Sequence, residues 1–161
     1  MSAETTLHFD GREQANELAL KLIQQAKSNI CFFGSTLDNV LFDHAEVMAG
    51  LSAFSRRTPR AQARFIVHDS QQAIAQGHRL IALAQKLTSS IHIRISSEKY
   101  KGLKQTFLLI DNAAFLYSQT ASRYNDRVCF DDVSESRQLQ KLFNTIWEYG
   151  SPDPMTRRLT L

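Results

Sequence analysis

The chain has 161 residues, of which 43% are apolar and 22% charged, and its net charge is +3 at pH 7. That length fits one domain burying roughly two-thirds of its unfolded surface, and the composition excludes a disordered chain. No apolar run approaches the ~20 residues of a membrane span. Met1 to Thr6 carry no basic segment leading into an apolar stretch, so no secretory leader is expected and the expected compartment is the cytoplasm.

Leu7-His8-Phe9 predicts a short strand ending at Asp10. Asp10 with Glu13 three residues on has the form of a capping box, followed by a helical stripe of Ala15, Leu18, Leu22, Ile23 and Ala26. Asn29 to Phe33 is a continuous apolar run closed by Gly34-Ser35-Thr36, the pattern of a strand buried on both faces. A second helix is expected from about Asp43 to Arg57, ended by Thr58-Pro59. Ala63 to Val67 is the next strand, closing on His68-Asp69-Ser70. A third helix then carries Ile74, Leu80, Ile81, Ala84 and Leu87.

Ile91 to Ile95 alternates strictly, so one of its faces is expected to be wet. Thr106 to Ile110 and Ala113 to Tyr117 predict two strands joined at Asp111-Asn112, read as a two-residue hairpin turn. Arg127 to Phe130 is a last strand. Asp132 and Glu135 repeat the capping pattern before a helix with Leu139, Leu142, Phe143, Ile146 and Trp147 in register, stopped at Gly150-Ser151-Pro152. The tail from Asp153 is expected to dock back. Residues 1–161 therefore predict one mixed α/β domain, a mixed sheet flanked by helices on both faces.

Several chemistries lack their residues. The five histidines show no close pairing, so no metal site is expected, and the absence of a P-loop or dinucleotide fingerprint leaves no cofactor expected. Cys31 and Cys129, in apolar strand-like settings, are expected to be buried thiols rather than a disulfide. If the sheet is open and largely parallel, its ligand crevice lies beyond the strand C-terminal ends. Ser35, Thr36 and Asp38, then His68 and Asp69, then Lys104 and Thr106 converge there, with Arg123 adding charge. A glycine-serine-threonine turn offers N–H groups to an anion. His68 beside Asp69 has the form of an oriented general base.

Basic residues cluster twice. Arg56, Arg57, Arg60 and Arg64 surround Pro59, while Lys99, Lys101 and Lys104 surround Gly102 with Tyr100 among them. Cations interleaved with aromatics suit single-stranded nucleic acid, whose bases stack while its phosphates pair.

The element order, together with Phe107-Leu108-Leu109-Ile110-Asp111, resembles one half of a phospholipase D-like protein. In that family this strand bears an H-x-K-x4-D motif, followed by a G-S motif and a downstream Asn near an acidic residue. Counted back from Asp111, the histidine position holds Lys104 and the lysine position Thr106; Ser118 and Asn125-Asp126 stand near the later motifs. The resemblance implies a scaffold without its nucleophile, because a protonated lysine amine cannot attack phosphorus as histidine does. It also implies a homodimer, since catalytic relatives pair two motifs. Trp147-Glu148, Asp153-Pro154 and Arg158 to Leu161 are similar to the ending of an uncharacterised bacterial domain found alone and beside GNAT-type acetyltransferase domains.

The expected function is non-catalytic binding of a phosphate-bearing ligand or a protein partner, with Asp111 and Ser118 joining the crevice set. A nucleic-acid-binding module using Arg56, Arg57, Arg60, Lys99 and Lys101 is the alternative. An enzyme with a repurposed crevice is a third reading.

Overall fold

The computed structural model describes residues 6–120 and 126–153. In chain order its elements are β1 (Thr6–His8), α1 (Arg12–Gln25), β2 (Asn29–Gly34), α2 (Asn39–Phe42) and α3 (Ala45–Ser55), then β3 (Gln62–Val67), α4 (Gln71–Ala75), α5 (Arg79–Lys86) and β4 (Ile91–Ile95). A 3-10 turn (Glu98–Tyr100), β5 (Thr106–Ile110), β6 (Ala114–Ser118), β7 (Arg127–Cys129), α6 (Val133–Tyr149) and β8 (Ser151–Pro152) complete it. The strands form one sheet in the order β1-β7-β6-β5-β2-β3-β4-β8.

The apolar run of β2 explains its central place. It pairs in parallel with β3, from Asn29↔Gln62 to Gly34↔Val67, and antiparallel with β5, from Ile30↔Ile110 to Phe33↔Phe107. Alternation splits the sheet into two cores. Ile30, Phe32, Phe65, Val67, Leu108 and Ile110 pack with Leu22, Ile23, Leu51, Phe54 and Leu80 of the helices α1, α3 and α5. Cys31, Phe33, Ile66, Phe107, Leu109 and Phe115 pack with Leu139, Phe143 and Ile146 of α6. Burying each large apolar side chain contributes roughly 1.5–3 kcal/mol. The mixed sheet flanked by helices on both faces is the architecture the periodicity predicts, and both cysteines are buried free thiols.

Local chemistry departs from the pattern in four places. The third helix is two helices, broken at Gly77 (φ 66°), where the His78 side chain caps α5 by accepting from Leu80 N. The capping box at Asp10 and Glu13 does not form; Gly11 is the cap, and Gln14 Oε1 accepts from Asp10 N at 2.8 Å. Asp132 does cap α6 through Glu135 N, but the Glu135 carboxylate turns to Arg127. The hairpin connection is three residues long, because Ala114, not Ala113, pairs with Ile110.

Past α6 the chain returns to the sheet, and of the tail expected to dock only Asp153 is described. Ser151 and Pro152 pair with β4, and the Asp153 carboxylate accepts from the buried Ser70 hydroxyl. Gly150 permits this approach: a Cβ there would lie 2.5 Å from Ile66 Cδ1. Residues from 154 onward lie outside the described residues.

Asp111 and Asn112 both take positive φ (54° and 59°), a conformation that these residue types tolerate. The Asp111 carboxylate then accepts backbone N–H groups of Lys27 at 2.8 Å and of Ser28 and Asn29 at 2.9 Å each, clamping the hairpin onto the entry of β2. Hydrogen bonds to a charged group are worth about 1.5–3 kcal/mol. Asp111→Ala is expected to lower stability by about 2–4 kcal/mol, since positive φ also penalises alanine. Asp111→Asn should recover part of the loss in urea unfolding; equal stability of Asp111→Ala and the parent would refute the clamp.

Burial lowers the pKa of His78 below 6.5, against the raising effects of Asp43 and Asp38. The unfolded chain therefore takes up this proton first, so the stability His78 contributes is complete above pH 6.5 and is lost as pH falls below it. His78→Asn, which keeps a cap acceptor, should unfold with a smaller stability loss between pH 7.5 and pH 5.5, read as urea midpoints. An unchanged pH dependence would refute the assignment.

Candidate functional site

The parallel strands β2, β3 and β4 finish at one end of the sheet. Antiparallel pairing brings the start of β5, the end of β6 and the start of β7 to the same end, through Phe33↔Phe107, Thr106↔Ser118 and Tyr117↔Arg127. Ser35, Thr36, Asp38, His68, Asp69, Lys104, Thr106 and Ser118 therefore share this end. Asp111 does not; it lies at the opposite end with its carboxylate engaged by the clamp. Arg123, Tyr124 and Asn125 lie outside the described residues.

The shared end is divided by the sheet. Thr106, in step with Leu108 and Ile110, belongs to the α1 side, and Ser118 is its direct strand partner. Thr106 is 1% exposed and its Oγ1 has no hydrogen-bond partner among the described residues. Ser118 Oγ donates to Thr120 O at 2.9 Å. Asp38 is buried; its carboxylate caps α2 by accepting from Leu41 N and faces Arg12 Nε at 3.7 Å.

His68 belongs to the other side, its ring meeting Phe33 edge-on with centroids 5.4 Å apart. Its Nε2 lies 2.9 Å from Leu103 O and its Nδ1 2.6 Å from Ser96 Oγ. A carbonyl can only accept, so Nε2 carries a proton, and in the neutral ring Nδ1 accepts from Ser96. Both ring nitrogens are thus spent on holding the loop between β4 and β5. Lys101 Nζ donates to His68 O at 3.0 Å and ties the same loop. Asp69 is not the histidine's partner: its Oδ1 accepts from Gln71 N at the start of α4. Ser35 is half-buried and its carbonyl accepts from His68 N and Asp69 N, both at 3.1 Å. Thr36 and Lys104 are exposed, and Lys104 makes no ion pair among the described residues.

At the start of β7, Arg127 pairs with Glu135 and Asp126 and covers the Tyr117 ring at 4.7 Å. Burial alone would lower the Arg127 pKa; the hydrogen bonds and charges of Glu135 and Asp126 reverse that and raise it.

The two basic clusters do not form one surface. Arg56, Arg57 and Arg60 are exposed near the start of β3, at the end opposite Lys99, Lys101 and Lys104. Arg57 is also committed, donating to Ala26 O and, at 2.9 Å, to Gln24 O at the end of α1. Arg64 leaves the cluster altogether, because it lies within β3.

Two groups at the shared end were missed in the sequence reading. Ser96 and Ser97 follow β4 just as Ser35 follows β2, so the strand-end rule already pointed at them. Tyr149, 57% exposed, joins Tyr100 with ring centroids 6.1 Å apart, and Lys99 Nζ lies 5.5 Å and 5.3 Å from the two rings. Helical periodicity marks Tyr149 only as a last-turn residue and carries no signal of this pairing.

Residues 11–159 match the family model described as "Domain of unknown function (DUF7931)". No curated protein matches the sequence. Among solved structures, the phospholipase D family member Nuc from Salmonella typhimurium is similar at TM-score 0.63 and 16% identity, over 92% of this chain and 98% of that one. NucT from Helicobacter pylori is similar at TM-score 0.63 and 12% identity, with the same coverage. TrmBL2, an archaeal chromatin protein whose structure shows a novel mode of DNA binding, is similar at TM-score 0.66 and 10% identity. That similarity covers 95% of this chain, which spans 55% of the archaeal one. The solved structures give the sheet a phospholipase D-like fold, and the match over residues 11–159 makes this chain a member of the DUF7931 family.

Proposed function

We propose that this chain is a non-catalytic phospholipase D-like domain that binds a phosphate-bearing ligand at the shared strand end. The observation that carries this reading is the replacement of the motif histidine and lysine by Lys104 and Thr106 at the start of β5. Lys104 supplies charge without a nucleophile, and Thr106 is a buried neutral hydroxyl. Binding phosphate requires cations and donors but no leaving-group chemistry. His68 offers no free base, which weighs against a repurposed enzyme built on His68, Asp69 and Ser35.

Inorganic phosphate and pyrophosphate should raise the melting temperature of the parent, because a ligand that binds only the folded state stabilises it by mass action. Lys104→Ala should diminish the shift. A shift undiminished in Lys104→Ala, or none in the parent, would overturn this reading in favour of a protein partner at this end. On the same reading two copies pair; a monomeric mass in light scattering at high concentration would remove that part.

A second reading, nucleic-acid binding, is favoured by Lys99 over the rings of Tyr100 and exposed Tyr149. The DNA-binding chromatin protein of similar fold adds support. Base stacking on an aromatic ring is worth about 1–3 kcal/mol. Tyr149→Ala should therefore weaken binding of a labelled single-stranded oligonucleotide in anisotropy titrations, and the parent's affinity should fall steeply with salt. Salt-insensitive binding, or none, would dismiss this reading.

A further inference from the structure

One face of the sheet is incompletely covered. On that side α6 packs over β2, β5 and β6, through Leu139, Phe143 and Ile146 against Cys31, Phe33, Phe107, Leu109 and Phe115. The helix also reaches Ile66 of β3, so the flank at the edge of this cover is the start of β3 and β4. There the alternation places Arg64 and His92 opposite each other on neighbouring strands, with Arg94 opposite Ile66. Ile91 and Ile93 turn to the other core. A cavity of about 650 Å³ opens here and wraps round the β4 edge, lined by Arg64, Arg94 and Trp147 on this face and by Ala84, Ile91 and Ile93 towards the other core, with Thr88 at its rim.

Among the described residues that line it, the cavity has two arginines and no carboxylate. Among the described residues Arg64 bonds neutral acceptors only, Cys31 Sγ at 3.3 Å and Asn144 Oδ1 at 3.4 Å. Arg94 Nη1 donates to Trp147 O at 2.7 Å. Among the described residues neither guanidinium has a carboxylate within ion-pair distance. Both are held against the Trp147 ring, Arg94 at 4.3 Å and Arg64 at 5.5 Å, which fixes their planes and reduces the side-chain entropy that binding would otherwise cost. The pKa of Arg94 is lowered by burial and then by the charge of Arg64. An anion between the two would relieve that repulsion.

We propose that this cavity binds a phosphate monoester of a small organic molecule, with the phosphate held by Arg64 and Arg94. Two preorganised guanidinium forks suit a group with more than one negative charge, since each offers parallel N–H donors to phosphate oxygens. The volume lies within the range of small-molecule sites and far exceeds what inorganic phosphate alone fills, so the ester's organic body occupies the rest. The site is separate from the strand-end region and does not rest on the function proposed there.

Trp147 is the only tryptophan of the chain, so its emission reports on this cavity. The parent protein is titrated with ribose 5-phosphate, glycerol 3-phosphate, adenosine monophosphate and inorganic phosphate, with calorimetry for the absorbing nucleotide. A saturable response is expected from at least one ester at millimolar concentration or below, at least tenfold tighter than inorganic phosphate. Arg94→Gln should weaken it at least tenfold. Thr88→Glu, which adds a carboxylate at the cavity without touching the tryptophan, should do the same in a protein with unchanged melting temperature. Lys104→Ala should leave it intact, whatever becomes of the strand-end reading. No response to any ester, an equal response to inorganic phosphate, or one unchanged in Thr88→Glu would overturn the proposal.

Discussion

The pairing of β2 with β5 is the constraint on which the rest of this molecule depends. Without β5, the helices and parallel strands would form an open sheet ending at β2, with Phe33 and Ile30 exposed along an unpaired edge. The antiparallel strand closes that edge and carries β6 and β7 with it. It also fixes which residues meet at the strand ends, because the register Phe33↔Phe107 sets Thr106 beside the exit of β2. A slip of one residue would exchange the two faces of β5 and send Phe107 and Leu109 to the wrong core. The Asp111 carboxylate, gripping three successive N–H groups at the entry of β2, opposes that slip from the far end.

This arrangement separates two roles that the motif spacing leaves joined. The partners of Asp111 are backbone groups of its own fold. Lys104 and Thr106 stand at the other end of the same strand, where the identity of a side chain alters chemistry without disturbing the register. The residue that maintains the pairing is therefore distant from the side chains at the other strand end, which can vary without loss of register. Similarity to Nuc and NucT at 16% and 12% identity is consistent with such a division: the fold survives extensive replacement of side chains.

Much of the fold was legible because its strands are long apolar runs or strict alternations, and its longer helices carry clean stripes. Ile91 to Ile95 is the clearest case, with Ile91 and Ile93 buried and His92 and Arg94 on the wetter face. The failures lie where a few tertiary contacts outweigh local pattern. A stripe spanning Ile74 to Leu87 conceals the break at Gly77, since both segments bury the same side. Ser151-Pro152 reads as a helix stop, and only contact with β4 makes it a strand. The site was less legible than the fold. Strand-end residues could be collected from sequence, but alternation alone could not reveal that His68 spends both nitrogens on Ser96 and Leu103. Nor could it show that the basic residues near Pro59 and Gly102 lie at opposite ends.

The uneven covering of the sheet also bears on how the chain is made. Four strands that contribute to the second core, β2, β3, β5 and β6, are complete by Ser118, while the helix that covers them begins at Val133. During synthesis the face bearing Phe33, Phe107, Leu109 and Phe115 is exposed until that helix emerges, and domains fold as units when their last essential element is available. The first core, built by helices that alternate with its strands, has no such delay. The nascent chain therefore passes through a stage with one face closed and one face open, the kind of surface that chaperones recognise and that aggregates when synthesis stalls.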